Sequence, residues 1–408
     1  MIKRAVITGM GIISPLGSTV KSAFERLHTL KNCVSYQPEL ENYKGLNSKL
    51  AARVSGFKIP ADFNRKVTRT MGKGALMAVI SAKDALIDAG LLDDGIISSG
   101  KTGVSCGSSS GSLEALMDFY SMCVNNETKQ LNSGSYVRMM PHTAAVNISM
   151  YFKTRGRLIS SSTACTSGSM GIGYAYEAVK HGIQDVMIAG GTDEYSPAQI
   201  GVFDTLFASS IKNDTPELTP APFDRNRDGL VIGEGAGMVV IEEYEHAKAR
   251  GAHIYAEIAG FALNTDGAHI TNPDEGMMAE VMRLALKDAG IKAEDIGCIN
   301  AHGTGTITGD AAESKASEAV FGRKTPISTI KSYTGHTLGA AGAIETVLSI
   351  EMMNNKWFCP NLNLKNPDEN CGNLDYIMNK PRAVDTEYII TNNFAFGGIN
   401  TALILKRV

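Results

Sequence analysis

The sequence predicts an α/β fold built from two similar halves, and two observations lead to this prediction. Short apolar runs of β type alternate along the chain with stretches of helical apolar spacing. In addition, the hexapeptide ALIDAG at 85–90 recurs with one change as ALKDAG at 285–290. Both copies end a predicted helix and precede a predicted strand. We therefore expect a duplicated chain whose halves span 1–250 and 251–408, joined by the polar segment 245–252.

Each element follows from its local pattern. Residues 71–89 have helical spacing and end at Gly90, a residue that readily takes the left-handed conformation after a helix. Residues 168–181 predict a helix rich in glycine and alanine. Runs of β type predict strands at 5–9, 102–107, 158–163, 186–189, 237–241 and 296–301. Because ligands bind beyond the carboxyl ends of strands in open α/β sheets, residues that follow strands in either half are candidates for one shared site.

Composition excludes several classes of protein. The 408 residues include 39 basic and 42 acidic side chains, a balance that argues against a nucleic-acid-binding protein. No signal peptide and no run of about 18 apolar residues is evident, so we expect a cytoplasmic protein without a membrane span. The seven cysteines are scattered and include no CxxC pair, so neither a metal site nor a disulfide framework is expected.

Three side chains stand in sequence contexts that suit catalysis. Cys165 follows a predicted strand and opens a helix, where free N–H groups and the helix dipole favour a thiolate. His302 follows another strand in a glycine-rich loop, and His336 stands at the start of a helix whose first turns are nearly all small residues. The alternatives are a buried structural cysteine and histidines that only pack in the core.

Other motifs compete with this interpretation. Ser109 lies in GSSSG (107–111), which matches the G-x-S-x-G turn of a serine hydrolase or acyltransferase between a strand and a helix. A Gly-x-Gly turn after the first strand lacks the third glycine of a dinucleotide-binding motif. The acidic spacing in 224–234 does not fit an EF-hand. A non-catalytic scaffold subunit is a further alternative.

Six motifs resemble those of the β-ketoacyl-acyl-carrier-protein synthases, the condensing enzymes of fatty-acid and polyketide synthesis. In chain order they are VITGMGIISPLG (6–17), SSTACTSG (161–168), PFDRNRDGLVIGEGAG (222–237), NAHGTGT (300–306), KSYTGHTLGAAGAIE (331–345) and NNFAFGGIN (392–400). They span almost the whole chain and are most similar to the synthase I/II branch. The resemblance implies a thiolase-type fold, a five-layer α/β/α/β/α sandwich of two duplicated halves, which agrees with the repeated hexapeptide.

The resemblance also implies a role for each catalytic residue. Cys165 takes the acyl chain from acyl carrier protein as a thioester, and the backbone N–H groups of Cys165 and Phe396 form the oxyanion hole. His302 and His336 donate hydrogen bonds to the malonyl thioester carbonyl and stabilise the enolate that forms when CO2 leaves. The resulting carbanion attacks the acyl group on Cys165. Lys331 supports the two histidines.

Further residues match the family in supporting roles. Glu345 resembles a structural or water-organising acid, and Phe396 resembles the phenylalanine that gates the site. Thr304 and Thr306 match threonines that bind phosphopantetheine, which arrives on the carrier protein, so no bound cofactor is expected. The residues expected to line an acyl tunnel are Ser108, Met139 and Met140.

The expected partners are acyl carrier protein and a second chain of the same fold, either another copy or a non-catalytic homologue similar to a chain-length factor. Arg65, Lys66, Arg69 and Lys73 form a candidate docking patch for the acidic carrier protein, although a solvated face would show the same pattern. Because chain-length factors lack the nucleophile, Cys165 indicates that this chain is the active subunit.

Some segments depart from the family pattern. Ala395 and Ile399 replace the usual Gly and Thr of the gating loop, which predicts altered mobility of that loop. Other segments resemble the synthases of aryl polyene pigment clusters, a type II polyketide system, more than those of housekeeping fatty-acid synthesis. These segments are 42–54, 66–73, 331–337 and 374–377. An enzyme of that subgroup would extend an aryl-primed polyunsaturated chain iteratively.

Overall fold

The computed structural model describes residues 2–408, in which strands and helices alternate. The strands are β1 (Ala5–Ile13), β2 (Ser35–Tyr36), β3 (Leu50–Ala52), β4 (Thr102–Gly107), β5 (Leu158–Ser161), β6 (Val186–Asp193), β7 (Ile232–Gly233), β8 (Gly235–Glu243), β9 (Ala256–Thr265), β10 (Ile296–Asn300), β11 (Pro326–Ser328), β12 (Trp357–Phe358), β13 (Asp375–Tyr376), β14 (Arg382–Ala383), β15 (Tyr388–Ala395) and β16 (Ile399–Lys406). The α-helices are α1 (Val20–Leu27), α2 (Arg65–Thr68), α3 (Lys73–Asp88), α4 (Leu113–Asn125), α5 (Ser133–Met139), α6 (Thr143–Phe152), α7 (Ser167–Lys180), α8 (Pro197–Thr205), α9 (Tyr244–Ala249), α10 (Glu275–Ala289), α11 (Ile307–Phe321), α12 (Lys331–Thr334) and α13 (Ala341–Asn354).

Eleven of these strands form one sheet with the order β13-β11-β10-β15-β16-β9-β1-β8-β6-β4-β5. The sheet contains two runs of five strands that share order and direction. In the N-terminal run, β4 pairs in parallel with β5 and β6, and β8 pairs antiparallel with β6 and β1. In the C-terminal run, β10 pairs in parallel with β11 and β15, and β16 pairs antiparallel with β15 and β9. The same topology therefore occurs twice, as the duplicated sequence predicts.

Helices cover both faces of each run and give five layers. Val239 and Ile241 of β8 pack with α7 and α13 in a central core, whereas Met238 and Val240 of the same strand pack with α3 in an outer core. Strand β16 alternates in the same way between the central core and a second outer core that contains α10. The order of layers is therefore α/β/α/β/α, with α7 and α13 in the middle. The predicted fold class is confirmed.

The repeated hexapeptides occupy equivalent places in the two halves. Gly9 of β1 lies against α3, where a Cβ atom would come within 2.1 Å of the carbonyl oxygen of Ala85. Gly260 of β9 lies against α10 in the same way, at 2.6 Å from the carbonyl oxygen of Ala285. Because only glycine leaves room for such a close approach, each helix carries small residues where it crosses its strand. The repeated sequence thus encodes a repeated contact between a helix and a strand.

The aspartate of each hexapeptide makes an equivalent hydrogen bond. The Asp88 carboxylate accepts the backbone N–H of Met10 in β1, at 2.9 Å. The Asp288 carboxylate accepts the backbone N–H of Phe261 in β9, at 3.1 Å. Each bond lies next to the close glycine contact and ties the C-terminal end of the helix to the strand. This shared role explains why aspartate stands in both copies of the hexapeptide.

Most sequence-predicted elements are present, with some differences in their bounds. The strand at 102–107 has the predicted limits, whereas those predicted at 5–9 and 186–189 continue to Ile13 and Asp193 as buried strands. The segment 245–252, expected to be a polar joint, is partly helical because the Glu243 side chain caps α9 by accepting the N–H of His246. Among residues 2–408, no helix is long and apolar enough to cross a membrane.

Candidate active site

Cys165, His302 and His336 meet in one cavity between the two halves, although separate motifs predicted them. All three side chains line this cavity. Cys165 follows β5, His302 follows β10, and His336 follows β11 with the short helix α12 between them. Strands β5 and β11 hold equivalent positions in the two runs of the sheet, and β10 is the neighbour of β11. The expectation of one site shared by both halves therefore agrees with the structure.

Cys165 lies in a 3-10 turn, Ala164–Thr166, immediately before α7. Its side chain is buried, and this burial raises the pKa of the thiol to about 12, with nearby Lys331 acting in the opposite direction. The expectation of a resting thiolate is therefore wrong. The N-terminus of α7 begins two residues further on, and the loss of hydration outweighs the favourable charges nearby. The resting nucleophile is a thiol.

His336 is the closest side-chain partner of that thiol. Its Nε2 atom lies 2.9 Å from Cys165 Sγ, and its Nδ1 atom accepts the backbone N–H of Leu338 at 3.2 Å. Burial, and secondly the charge of Lys331, holds the pKa of His336 well below its ordinary value, so the ring is neutral. Since Nδ1 is an acceptor, the single ring proton is on Nε2 and faces Cys165.

The sequence-based position of His336 needs correction. It does not begin a helix but lies in the segment between α12 and a 3-10 turn at Leu338–Ala340, and α13 begins only at Ala341. The backbone of His336 instead forms an isolated β-bridge with Ile232. The small residues after it allow the turn and α13 to pack closely against α7: a Cβ atom on Gly342 would lie 2.7 Å from that of Ser169.

His302 presents a second N–H group to the same cavity. Its Nδ1 atom lies 3.1 Å from Lys331 Nζ, and because an ammonium group can only donate, the ring proton is again on Nε2. Burial first, then the charge of Lys331 and the proximity of His336, holds the pKa of His302 well below its ordinary value. The two imidazole rings are nearly perpendicular, with centroids 5.2 Å apart. Two neutral N–H donors therefore converge beside the thiol.

A buried network behind the histidines fixes Lys331. This lysine is 1% exposed and its Nζ atom makes an ion pair with Glu345, whose second oxygen accepts the side-chain N–H of Asn393 at 2.7 Å. Burial raises the pKa of Glu345, and Lys331 opposes that shift. Lys331 is therefore not a surface residue. Its position beside His302 fits the supporting role that the family resemblance implies.

Cys165, His302 and His336 are residue types that can bind a metal ion, and their ligand atoms lie within 4.8 Å of one another. A histidine that binds zinc turns a lone pair to the metal and donates its other ring N–H to a hydrogen-bond partner. In this site the roles are reversed, since Lys331 and the Leu338 N–H occupy the Nδ1 lone pairs. The arrangement therefore suits an oxygen acceptor better than a metal ion.

Other predicted residues line the path from the surface to Cys165. Thr304 and Thr306 line the cavity, with their hydroxyl oxygens 2.9 Å apart. The ring of Phe396 lies over Phe203, with centroids 5.2 Å apart, and both residues line the cavity, while the gating role of Phe396 stays a prediction. Ala395 is the last residue of β15. Its backbone therefore needs no glycine, and this finding removes the reason to expect altered mobility from Ala395.

Three predicted tunnel residues lie outside this cavity. Ser108 donates to Asp193 at 2.9 Å, and the backbones of Met139 and Met140 lie against Gly111. None of the three is among the residues that line the cavity around Cys165. Their role in an acyl tunnel therefore stays a prediction.

The serine-hydrolase alternative has no support in the geometry. The Ser109 hydroxyl donates to Asp193 at 2.5 Å, and no histidine hydrogen-bonds to it in the described chain. A serine nucleophile needs a neighbouring base, commonly histidine, and both candidate histidines of the cavity face Cys165 instead. Ser109 is therefore a structural hydroxyl that anchors the loop after β4.

One member of the proposed docking patch is otherwise engaged. Lys73 Nζ makes an ion pair at 2.6 Å with Glu234, whose side chain is fully buried. The charge of Lys73 balances that carboxylate and is not available to a partner. The sequence offered no sign of this pair, because 161 positions separate its members. The patch reduces to the exposed side chains of Arg65, Lys66 and Arg69 at α2.

Two buried acids were missed by the motif analysis. Glu313 of α11 accepts the backbone N–H groups of His302 and Gly303, both at 2.7 Å, and burial raises its pKa to about 8. Asp193, at the end of β6, accepts hydrogen bonds from Ser109 and from the Gly339 N–H. The rule applied to Cys165 and His302, that polar residues follow strands, could have indicated Asp193 but not Glu313, which lies within α11.

The fold and site together define a thiolase-type condensing enzyme, with a cysteine in one half and two histidines in the other. The family models for the β-ketoacyl synthase N-terminal domain and C-terminal domain match residues 3–247 and 255–365. The chain therefore belongs to the β-ketoacyl synthase family. A curated relative, 3-oxoacyl-[acyl-carrier-protein] synthase 2 of Coxiella burnetii, is 38% identical over 100% of this chain and 99% of its own length.

Solved structures agree with this membership. A β-ketoacyl synthase from Burkholderia phymatum is similar over 100% of both chains, with a TM-score of 0.98 and 52% identity. The ishigamide ketosynthase/chain length factor matches over 100% of both chains, with a TM-score of 0.91 and 28% identity. A type II polyketide ketosynthase in complex with its acyl-carrier protein also covers 100% of both chains, with a TM-score of 0.88 and 30% identity.

Proposed function

We propose that this chain is a β-ketoacyl-acyl-carrier-protein synthase that condenses malonyl-carrier protein with an acyl group held on Cys165. The observation that carries the proposal is the meeting of one thiol with two neutral histidine N–H donors in a single buried cavity. The names of the full-length relatives support it. The reaction has two stages, and each uses a different part of the site.

In the first stage the acyl chain is transferred to Cys165. The sulfur attacks the thioester carbonyl of the acyl-carrier protein, the new S–C bond forms, and the carrier sulfur leaves with the proton of the Cys165 thiol. The negative oxygen of the intermediate is stabilised by the backbone N–H groups of Cys165 and Phe396. The left-handed backbone of Ala164, with a φ of 48°, is part of the turn that carries Cys165.

In the second stage the histidines act on the malonyl thioester. Its carbonyl oxygen accepts the Nε2–H groups of His302 and His336, so negative charge on that oxygen is stabilised when the C–C bond to the carboxylate breaks and CO2 leaves. The carbanion then attacks the acyl carbonyl, the bond between that carbonyl and the sulfur of Cys165 breaks, and the sulfur takes up a proton from solvent. Neutral rings suffice because each supplies an N–H throughout.

The carrier protein supplies the prosthetic arm, so the chain needs no bound cofactor of its own. Thr304 and Thr306 would bind the phosphopantetheine along the cavity. The exposed basic side chains of Arg65, Lys66 and Arg69 would attract the acidic carrier protein. The complex of a related ketosynthase with its carrier protein supports this partner.

A second chain of the same fold is a further proposed partner. Strand β5 is an unpaired edge of the large sheet, and an exposed edge readily pairs with another strand. Helices α4 and α5 of the same half expose apolar side chains that a partner would cover: Leu116, Met117, Tyr120 and Tyr136. The partner is another copy or a chain-length-factor homologue, and the ishigamide pair supports the second type of assembly.

The relatives favour fatty-acid synthesis as the pathway, while the aryl polyene subgroup, the tunnel residues and the cytoplasmic location stay predictions. Intact-mass analysis after incubation with different acyl-carrier proteins separates the two pathways. Transfer of saturated acyl groups alone indicates fatty-acid elongation, and transfer of aryl or polyenoyl groups indicates pigment synthesis.

Substitution of the three site residues tests the proposed reaction. Cys165→Ala should form no acyl-enzyme by intact mass, whereas Cys123→Ala, which removes an exposed thiol, should load like the wild type. His302→Ala and His336→Ala should each lower the rate of malonyl decarboxylation by at least about 100-fold while Cys165 still accepts the acyl chain. Acyl loading of Cys165→Ala at the wild-type rate would disprove the assignment.

A further inference from the structure

The mouth of the cavity is surrounded by exposed apolar side chains. Phe207 is 90% exposed, Ile270 is 70% exposed and Ile307 is 67% exposed. Ile270 lines the cavity, and Phe207 and Ile307 each stand between two residues that line it. We call these three side chains the mouth surface. Because water surrounds most of each side chain, none of them contributes much to the hydrophobic core.

Phe207 also occupies a backbone position that usually belongs to glycine. It is the second residue after α8 and has a φ of 53°. Its N–H donates to the carbonyl of Asp204, and the N–H of Ala208 donates to the carbonyl of Phe203. These two bonds define a Schellman motif, in which the left-handed residue is most often glycine. The corresponding residue after α10 is Gly290, with a φ of 68°.

The left-handed backbone and the exposed ring of Phe207 both fail to stabilise the fold of the chain when it is alone. A bulky side chain in the left-handed region is strained, and an almost fully exposed aromatic ring gains little from burial. Backbone outliers and exposed apolar groups beside a functional opening both point to interaction. Aromatic residues are also enriched at the centres of interfaces between proteins. The ring of Phe207 therefore has the character of a binding residue.

We propose that the mouth surface is an apolar docking site for the carrier protein, with Phe207 as its main contact. This proposal rests on the proposed function, because an acyl group that reaches Cys165 must enter through this mouth. A protein that delivers the group is therefore brought against Phe207, Ile270 and Ile307. The basic side chains at α2 would supply long-range attraction, and the mouth surface would supply the contact from which water is excluded.

Phe207→Gly separates docking from folding and from chemistry. Because glycine suits the left-handed position, the variant should fold with an unchanged or higher melting temperature. Its KM for acyl-carrier-protein substrates should rise roughly 10-fold, as expected for loss of an aromatic anchor. With acyl and malonyl thioesters of free pantetheine, kcat and KM should remain within about twofold of the wild type, since these substrates do not touch the outer surface.

Two further variants complete the test. Phe207→Tyr keeps the ring and should keep the wild-type KM. Ile87→Ala removes an exposed side chain from α3 on an outer layer and should leave the KM for both kinds of substrate unchanged. An unchanged KM of Phe207→Gly for carrier-protein substrates would overturn the proposal. So would an equal loss with pantetheine thioesters, which would make Phe207 a channel residue, or a change of oligomeric state, which would assign the surface to a second chain. Absence of condensation by the wild type with either substrate would instead contradict the proposed function.

Discussion

The turn that carries Cys165 in the N-terminal half has a counterpart in the C-terminal half. A 3-10 turn at Ala164–Thr166 precedes α7, and another at Leu338–Ala340 precedes α13, the second helix of the central layer. The first residue of each turn is left-handed although it is not glycine: φ is 48° at Ala164 and 52° at Leu338. The second residue is Cys165 in one half and Gly339 in the other. Duplication has thus produced the turn twice and the nucleophile once.

The two turns also use their backbone N–H groups differently. In the C-terminal half the N–H of Gly339 donates at 2.6 Å to Asp193, a buried carboxylate that also accepts hydrogen bonds from Ser109. Burial raises the pKa of Asp193 to about 6, and these donors oppose the shift. In the N-terminal half the corresponding N–H is that of Cys165, which we assign to the oxyanion of the substrate. The turn at Leu338 therefore binds a carboxylate of the protein itself, whereas the turn at Ala164 keeps its N–H group for the oxyanion of the substrate.

The largest expected effect that tests this comparison comes from Asp193→Asn. The amide replaces one acceptor oxygen with an N–H donor, so the Gly339 or Ser109 N–H loses its partner and the turn at Leu338 shifts. Because the Leu338 N–H fixes the ring of His336, malonyl decarboxylation should fall about 10- to 100-fold. Alkylation of Cys165 by iodoacetamide should change less than decarboxylation does, since its own turn is intact and only its contact with His336 is altered.

Ser109→Ala is the matched control for this variant. It removes a hydroxyl donor to Asp193 but leaves the bond to Gly339, so decarboxylation should stay close to the wild-type rate. If Asp193→Asn decarboxylates malonyl thioester as fast as the wild type, Asp193 has only a structural role. Equal losses in decarboxylation and alkylation would lead to the same conclusion.

A smaller effect is expected where the repeated hexapeptides cross their strands. Gly9→Ala places a Cβ atom 2.1 Å from the carbonyl oxygen of Ala85, and Gly260→Ala places one 2.6 Å from that of Ala285. Overpacking of this kind destabilises a fold by about 1–3 kcal/mol. Denaturant unfolding should give a free-energy loss near the top of that range for Gly9→Ala and a smaller one for Gly260→Ala. An unchanged free energy of unfolding at one of the two positions would mean that the two contacts are not equivalent.

The sequence was sufficient to predict the duplicated halves and the site residues that lie in short motifs. The hexapeptides revealed the duplication because their small residues and aspartates make the same contacts in both halves. Cys165, His302 and His336 were singled out because each lies in a motif of small residues near the end of a predicted strand or the start of a predicted helix. Together with the family resemblance, these signals gave the five layers and the composition of the site.

What the sequence could not show depends on contacts between distant segments. The pairing of Lys73 with Glu234 joins positions far apart in the chain, and the protonation of Cys165 depends on its burial rather than on its neighbours in sequence. The anchoring of Gly339 by Asp193 is equally non-local. The left-handed turns at Ala164 and Leu338 were also hidden, because neither residue type indicates that conformation.

The smallest expected effect tests these two left-handed residues against each other. A left-handed backbone costs a residue with a Cβ atom about 1–2 kcal/mol, and glycine returns part of this through its freedom in the unfolded chain. Ala164→Gly should therefore stabilise the fold by about 0.5–1 kcal/mol. Leu338→Gly gains the same relief but loses a buried side chain worth at least about 2 kcal/mol, so it should destabilise the fold. Thermal unfolding of both variants gives the two signs, and destabilisation by Ala164→Gly would show that the methyl group of Ala164, and not its strained backbone, dominates at the catalytic turn.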